Sequence, residues 1–296
     1  MNKRYIELIK EMHLGKCIMI DGATGTELER RGVPQIPNAW NGGGALSHPE
    51  ILKEVHKEYV ELGARIIITN TFATGKHTLE DANQIHNFEK LNSQGVLIAK
   101  KAIKEVNKNS LIAGGISYWT FTKNKPSLEI LKSNVKEQAL IFKNNGVNLL
   151  ILEMMEDIER MMVTLEGAKN VNLPIWVGLS CKIDNSGKVV LLSGDPLEKA
   201  IDNLDNKNVD LINIMHTEIS LINPCLDILQ NKWKGLIGVY AHSGVMEKTK
   251  WTFEEVISPE DYSKYVQEWI ERGINLVGGC CGVTTEHIKY ISENNF

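Results

Sequence analysis

Near the end of the chain two thiols stand side by side behind two glycines, in the stretch Val277-Gly278-Gly279-Cys280-Cys281-Gly282. A vicinal pair makes a poor structural disulfide, because it closes almost no loop and strains the peptide between its ends. Two adjacent thiolates on a sharply bent backbone can instead grip one soft metal ion, and the glycines permit such a bend. A Gly-Gly turn in this position would also suit a phosphate. No CxxC occurs in the chain, which argues against a zinc ribbon or an iron–sulfur cluster. Four other residues have chemistry to match: Asp21 in DGATGTELERRG, Glu153 after the apolar run LLIL, His216 in INIMHTEIS and His242 in GVYAHSGV. A lone carboxylate at the end of an apolar strand needs a partner, and a substrate ammonium would be one for Glu153. Asp21 would serve the same way or cap a following helix. Trp40 in NAWNGGG and Phe72 in TNTFATG suit a pocket wall or ordinary packing.

The elements that must position these residues are legible from hydrophobic patterning. Short apolar, β-branched runs occur at 17–20, 65–69, 111–115, 148–152, 174–180, 210–215, 236–240 and 275–279. Amphipathic stretches separate them, among them 49–63, 133–146, 157–170 and 259–273, and three of these end on glycine, at Gly63, Gly146 and Gly273. Continuous apolar strands alternating with helices indicate a parallel sheet buried on both faces. Eight strands fit a closed (β/α)₈ barrel in one domain over 1–296, with a helix at 1–14 capping the barrel bottom or packing on its side. The doubly wound competitor lacks its GxGxxG after the first strand. In a barrel the active site lies at the C-terminal ends of the strands. Those ends carry Asp21, the Thr69-Asn70-Thr71 segment, Ser117, Glu153, Cys181, His216, His242 and Cys280-Cys281. Cys17, Cys181 and Cys225 read as structural thiols, and the other six histidines fall in helices or helix starts.

Composition narrows the class. The chain has 296 residues, a formal net charge of −4 and 43% hydrophobic residues, a globular balance with no basic surface for nucleic acid. The start is amphipathic rather than a continuous apolar signal segment, and no run reaches the roughly 18 apolar residues of a membrane span. Five cysteines, an odd number, read as reduced thiols in a cytoplasmic protein.

Taken together, DGATGTEL (21–28), ALSHPEILKEVH (45–56), GARIIITNTF (63–72), LLILEMME (149–156) and GGCCGVTTEHI (278–288) resemble the homocysteine S-methyltransferase family, in order and over nearly the whole chain. The resemblance implies a (β/α)₈ barrel in which three cysteines hold Zn²⁺ and the acceptor thiolate takes the fourth position. It matches Cys280 and Cys281 to two of those cysteines, Asp21 and Glu153 to the carboxylates that hold the amino group, and Trp40 and Phe72 to pocket aromatics. At the first family cysteine, in an Asn-Cys pair after the sixth strand, this chain departs and reads Asn213-Ile214-Met215-His216. The expectation is a Zn²⁺ site of Cys280, Cys281 and His216, with His242 as the alternative third ligand, a familiar catalytic donor set. The implied reaction is methyl transfer to homocysteine from a small onium donor, forming methionine, in a monomer or dimer. Two other readings stand beside it: metal-assisted hydrolase or lyase chemistry on the same barrel, and non-catalytic binding of a thiol amino acid.

Overall fold

The computed structural model describes residues 2–106, 108–247, 250–252 and 256–296, and side chains outside 245–255. Eight strands form one parallel sheet: β1 (Ile18–Met19), β2 (Ile66–Ile68), β3 (Leu111–Ile116), β4 (Leu149–Met155), β5 (Ile175–Leu179), β6 (Leu211–Glu218), β7 (Leu236–His242) and β8 (Leu276–Val277). Each pairs with its sequence neighbour, β1 pairs with β8, and an Ile20–Ile66 bridge closes the ring. All eight expected strands are present, and the architecture is the expected (β/α)₈ barrel. Two short antiparallel hairpins were not foreseen, Cys181–Ile183 with Val189–Leu191 and Val245–Glu247 with Lys250–Thr252. Both follow barrel strands and stand on the rim.

Local sequence explains the helices. Helix Leu128–Asn145 begins where the Ser127 side chain accepts from the Ile130 N–H, a cap worth about 1 kcal/mol. It stops at Gly146, whose φ of 85° a side chain would resist. Its buried residues Leu131, Val135, Ala139 and Phe142 recur every three to four positions and face the barrel. Strand residues facing outward, such as Ile212, Ile214 and Val177, join these helix faces in the main core.

The inward-facing residues follow the period of two. At the bottom, Ile18, Ile66, Leu111, Leu149, Trp176, Leu211, Leu236 and Leu276 form one cluster. Helix Lys3–His13 closes that end by inserting Tyr5, Leu8 and Met12 into it, each burial contributing about 1.5–3 kcal/mol. Toward the top the same inward positions change character. On β4 they run Leu149, Ile151, Glu153; on β6, Leu211, Asn213, Met215; on β7, Leu236, Gly238, Tyr240.

Candidate active site

The upper rim surrounds a cavity of about 610 Å³, within the range of small-molecule sites. Its floor carries Glu153, His216, Cys280 and Cys281, and its walls include Trp40, Phe72, Trp119, Phe121, Met154 and Tyr240. Lys125 pairs with Glu156 rather than Glu153, so the floor acid keeps no lysine of its own.

The thiol pair leaves β8 through Gly278 and Gly279. A Cβ on Gly278 would lie 2.3 Å from Ile20 Cγ2 and 2.6 Å from the Asp21 carbonyl oxygen, so only glycine lets β8 pass so close to β1. His216 approaches from β6, where the pairing with β7 slips between Met215 and Glu218. The residue takes φ 43° there, a backbone cost of order 1–3 kcal/mol. That irregularity turns the imidazole toward β8, with Nδ1 3.4 Å from Cys280 Sγ. One ligand atom each from His216, Cys280 and Cys281 fall within 4.8 Å of one another. Zn–S bonds of about 2.3 Å and Zn–N bonds of about 2.0–2.1 Å in a tetrahedron separate donor atoms by roughly 3.6 Å. The set therefore fits a tetrahedral ion with three protein ligands. His242 lies beside His216, ring centroids 4.7 Å apart, but outside that three-residue group. Burial, then the neighbouring His216, hold its imidazole down to about 3. The Cys280 thiol is pushed well above its ordinary value by its contact with Cys281 and by burial, with His216 acting the other way.

The two carboxylates sit lower. Glu153 is buried and faces Gly115, whose hydrogen occupies a spot where a Cβ would come within 2.4 Å of Glu153 Oε2. Burial pushes its carboxyl up to about 8. Its neighbour Met154 has φ 58° at a second strand irregularity, and the Met154 N–H points at Met215 Sδ, 3.1 Å away. Asp21 Oδ2 accepts from the Ile68 N–H at 2.7 Å. Burial drives its carboxyl well above the usual range, the Ile68 bond opposes this, and the Glu153 charge adds to it. Asp21 lies behind the cavity lining rather than in it. Two buried acids with raised values form a receptor for a cation.

Trp40 and Phe72 both line the cavity. Trp40 packs over Gly25 with φ 41°, and its indole N–H donates to Glu29 Oε2 at 3.4 Å. Asn41 Nδ2 donates to the Gly25 carbonyl, and Asn70 Nδ2 to the Asn41 carbonyl, tying this loop to the strand ends. Residues missed by the sequence reading complete the wall: Trp119 and Phe121 after β3, and Met215 and Tyr240 on inward positions of β6 and β7. The period of two pointed at the last pair; the aromatic run Tyr118-Trp119-Thr120-Phe121 pointed at the first.

A family model for homocysteine S-methyltransferase matches residues 18–294. The chain belongs to the homocysteine S-methyltransferase family. Among its relatives, "Homocysteine S-methyltransferase 1" of Arabidopsis thaliana is 25% identical, covering 97% of this chain and 95% of the relative. A selenocysteine methyltransferase of Astragalus bisulcatus is 27% identical, covering 94% and 92%. The homocysteine methyltransferase MmuM from Escherichia coli, in its metallated form, superposes with a TM-score of 0.78 at 20% identity over 95% of this chain and 96% of that one, a likeness of fold. The family is one of methyltransferase enzymes. Among the described residues, no helix of this member is long and apolar enough to cross a membrane.

Proposed function

We propose that this enzyme is a cytoplasmic, zinc-dependent homocysteine S-methyltransferase that forms methionine from a small onium donor. The observation that carries the reading is the convergence of His216, Cys280 and Cys281 on one cavity floor beside Glu153. Zn²⁺, when held by those three side chains, keeps the acceptor thiol ionised at neutral pH. Glu153 takes the acceptor's ammonium, with Asp21 behind it adding negative charge. Trp40 and Phe72 offer aromatic faces to the donor's positive centre, an attraction of about 0.5–2 kcal/mol. The acceptor sulfur attacks the donor methyl in line; the new S–C bond forms as the onium–methyl bond breaks and its electron pair stays with the leaving group. No general base is needed, so the chain contributes alignment and exclusion of water. His242 serves as support for His216 rather than as a ligand.

The test is zinc content per chain, by elemental analysis, for the natural protein and for His216→Ala. About one zinc in the natural protein, lost in the variant, supports the Cys₂His site. Zinc retained in the variant removes His216 from the ligand set, and none in either protein removes the metal from the reaction.

A further inference from the structure

The two motifs that lie farthest apart in the sequence form one unit in the fold. The turn Gly279–Thr285 is hydrogen-bonded to the segment Asp21–Glu27 at four points. Gly279 N–H donates to the Asp21 carbonyl at 3.1 Å, and Ala23 N–H donates to the Val283 carbonyl at 2.9 Å. Gly282 N–H donates to Thr26 Oγ1 at 3.2 Å, and Thr285 N–H donates to Glu27 Oε1 at 3.2 Å. Glu27 is fully buried and its other oxygen accepts from Arg31, which in turn grips Glu58 through both terminal nitrogens. Helix Thr24–Arg30 is thereby fixed to helix Pro49–Glu61 and to the start of helix Thr285–Asn295.

The peptide plane between Cys281 and Gly282 is pinned at both ends. Its carbonyl accepts from the Ser243 N–H at 2.8 Å, and its N–H donates to the Thr26 hydroxyl oxygen. A peptide plane fixes ψ of the residue before it and φ of the residue after it. Its orientation therefore sets the direction in which Cys281 carries Cβ and Sγ. Thr26 is buried, so loss of its oxygen would leave a buried N–H without its partner, a penalty of about 1–3 kcal/mol. The plane would rotate to relieve it and take the thiol along. The remaining bonds of this turn to Asp21–Ala23 are backbone to backbone, which side-chain exchange leaves in place.

We propose that Thr26 is a positioning residue for the metal ligand Cys281, acting through the Gly282 amide. The assignment rests on the metal reading above. It also explains why the DGATGTE stretch needs a hydroxyl residue one turn beyond its acid: Asp21 faces the acceptor while Thr26 holds the thiol that faces the same ion.

The experiment is zinc affinity, measured by competition with a chromophoric chelator on metal-free protein, for the natural chain, Thr26→Val and Thr26→Ser. Valine keeps the shape and removes the acceptor; serine keeps the acceptor. The thermal midpoint of each metal-free protein is measured alongside. The expected result is a zinc Kd raised about 10- to 100-fold in Thr26→Val, the usual cost of losing an outer partner of a metal ligand, with Thr26→Ser within a few-fold of natural. Natural affinity in Thr26→Val overturns the proposal. So does an equal loss in both variants, which would trace the effect to packing rather than to the hydroxyl. A natural chain that binds no zinc overturns the metal reading first, and the assignment of Thr26 with it.

Discussion

The two ends of this barrel are built on opposite terms. At the bottom, polar groups are few and paired: the Trp176 indole donates to the Tyr5 hydroxyl at 3.0 Å, which donates to Asp210 Oδ2 at 2.6 Å. Around that chain, Leu8, Met12 and the inward leucines and isoleucines fill the space. At the top, buried polar atoms stand without hydrogen-bond partners among the described residues: both amide atoms of Asn213, the Tyr240 hydroxyl and Asn41 Oδ1. Trp40, Met154 and His216 hold left-handed backbone there, and the acids Asp21 and Glu153 are buried with raised values. Unpaired buried groups are costly, so the upper end is tolerable only because the lower end is so well satisfied. Stability is concentrated in one half of the barrel, and readiness for ligand in the other.

Substitutions at either end should therefore fail in different ways. Cys280→Ser is expected to have the largest effect on methyl transfer, lowering it by more than about 100-fold, beyond the range for outer-shell partners, while thermal stability of the metal-free protein holds. Steady-state transfer to homocysteine beside a thermal melt checks both halves, and full activity in the variant would sink the metal reading. Glu153→Gln should raise KM for homocysteine roughly 10- to 100-fold at pH 8, the loss of one charged hydrogen bond of about 1.5–3 kcal/mol.

The same substitution should stabilise the metal-free protein. Glu153 has its folded value raised to about 8 from an ordinary 4.5. Its burial is thus harmless below about 4.5 and costs progressively more as pH rises toward 8, at about 1.4 kcal/mol per unit. The melting temperature of Glu153→Gln should exceed that of the natural protein at pH 8 and converge with it near pH 5. Parallel curves at all pH values would show that the acid is not strained. Leu8→Ala, at the opposite end, should leave both KM values within about twofold and remove about 2–5 kcal/mol of stability. A Leu8→Ala enzyme with altered KM would erase the division between the ends.

Most of the frame was legible in the sequence because every barrel strand is a continuous apolar run with a polar terminus, and because the rim rule then lists the site residues in order. Asp21, Glu153, His216 and the thiol pair were all found by that route. What escaped depends on backbone irregularity and on loops. His216 turns toward Cys280 through a slip in the β6–β7 register and a positive φ, neither of which has a signature in Ile214-Met215-His216-Thr217. Trp119 and Phe121 reach the cavity from the segment after β3, whose path no periodicity describes. Residues 181–191 form a hairpin about the Asp184–Gly187 turn, where the strand pattern of 174–180 had been read as ending in a loop. Thr26 lay in plain sight inside DGATGTEL, but its partner is 256 residues away.

Gly115 has a consequence of a different kind, for how such an enzyme can change over generations. An alanine there would collide first with the tip of Glu153 and only lightly with Ile68. A flexible tip can move, so the chain would still fold, and the damage would fall on the acid's aim alone. A lineage could in this way abandon its amino-acid acceptor in one step, without passing through an unfolded intermediate, and keep the barrel for other use. Within a set of descendants, then, the residue at this position should track the acid at 153: glycine wherever the acid is retained, and free drift at both once either has gone.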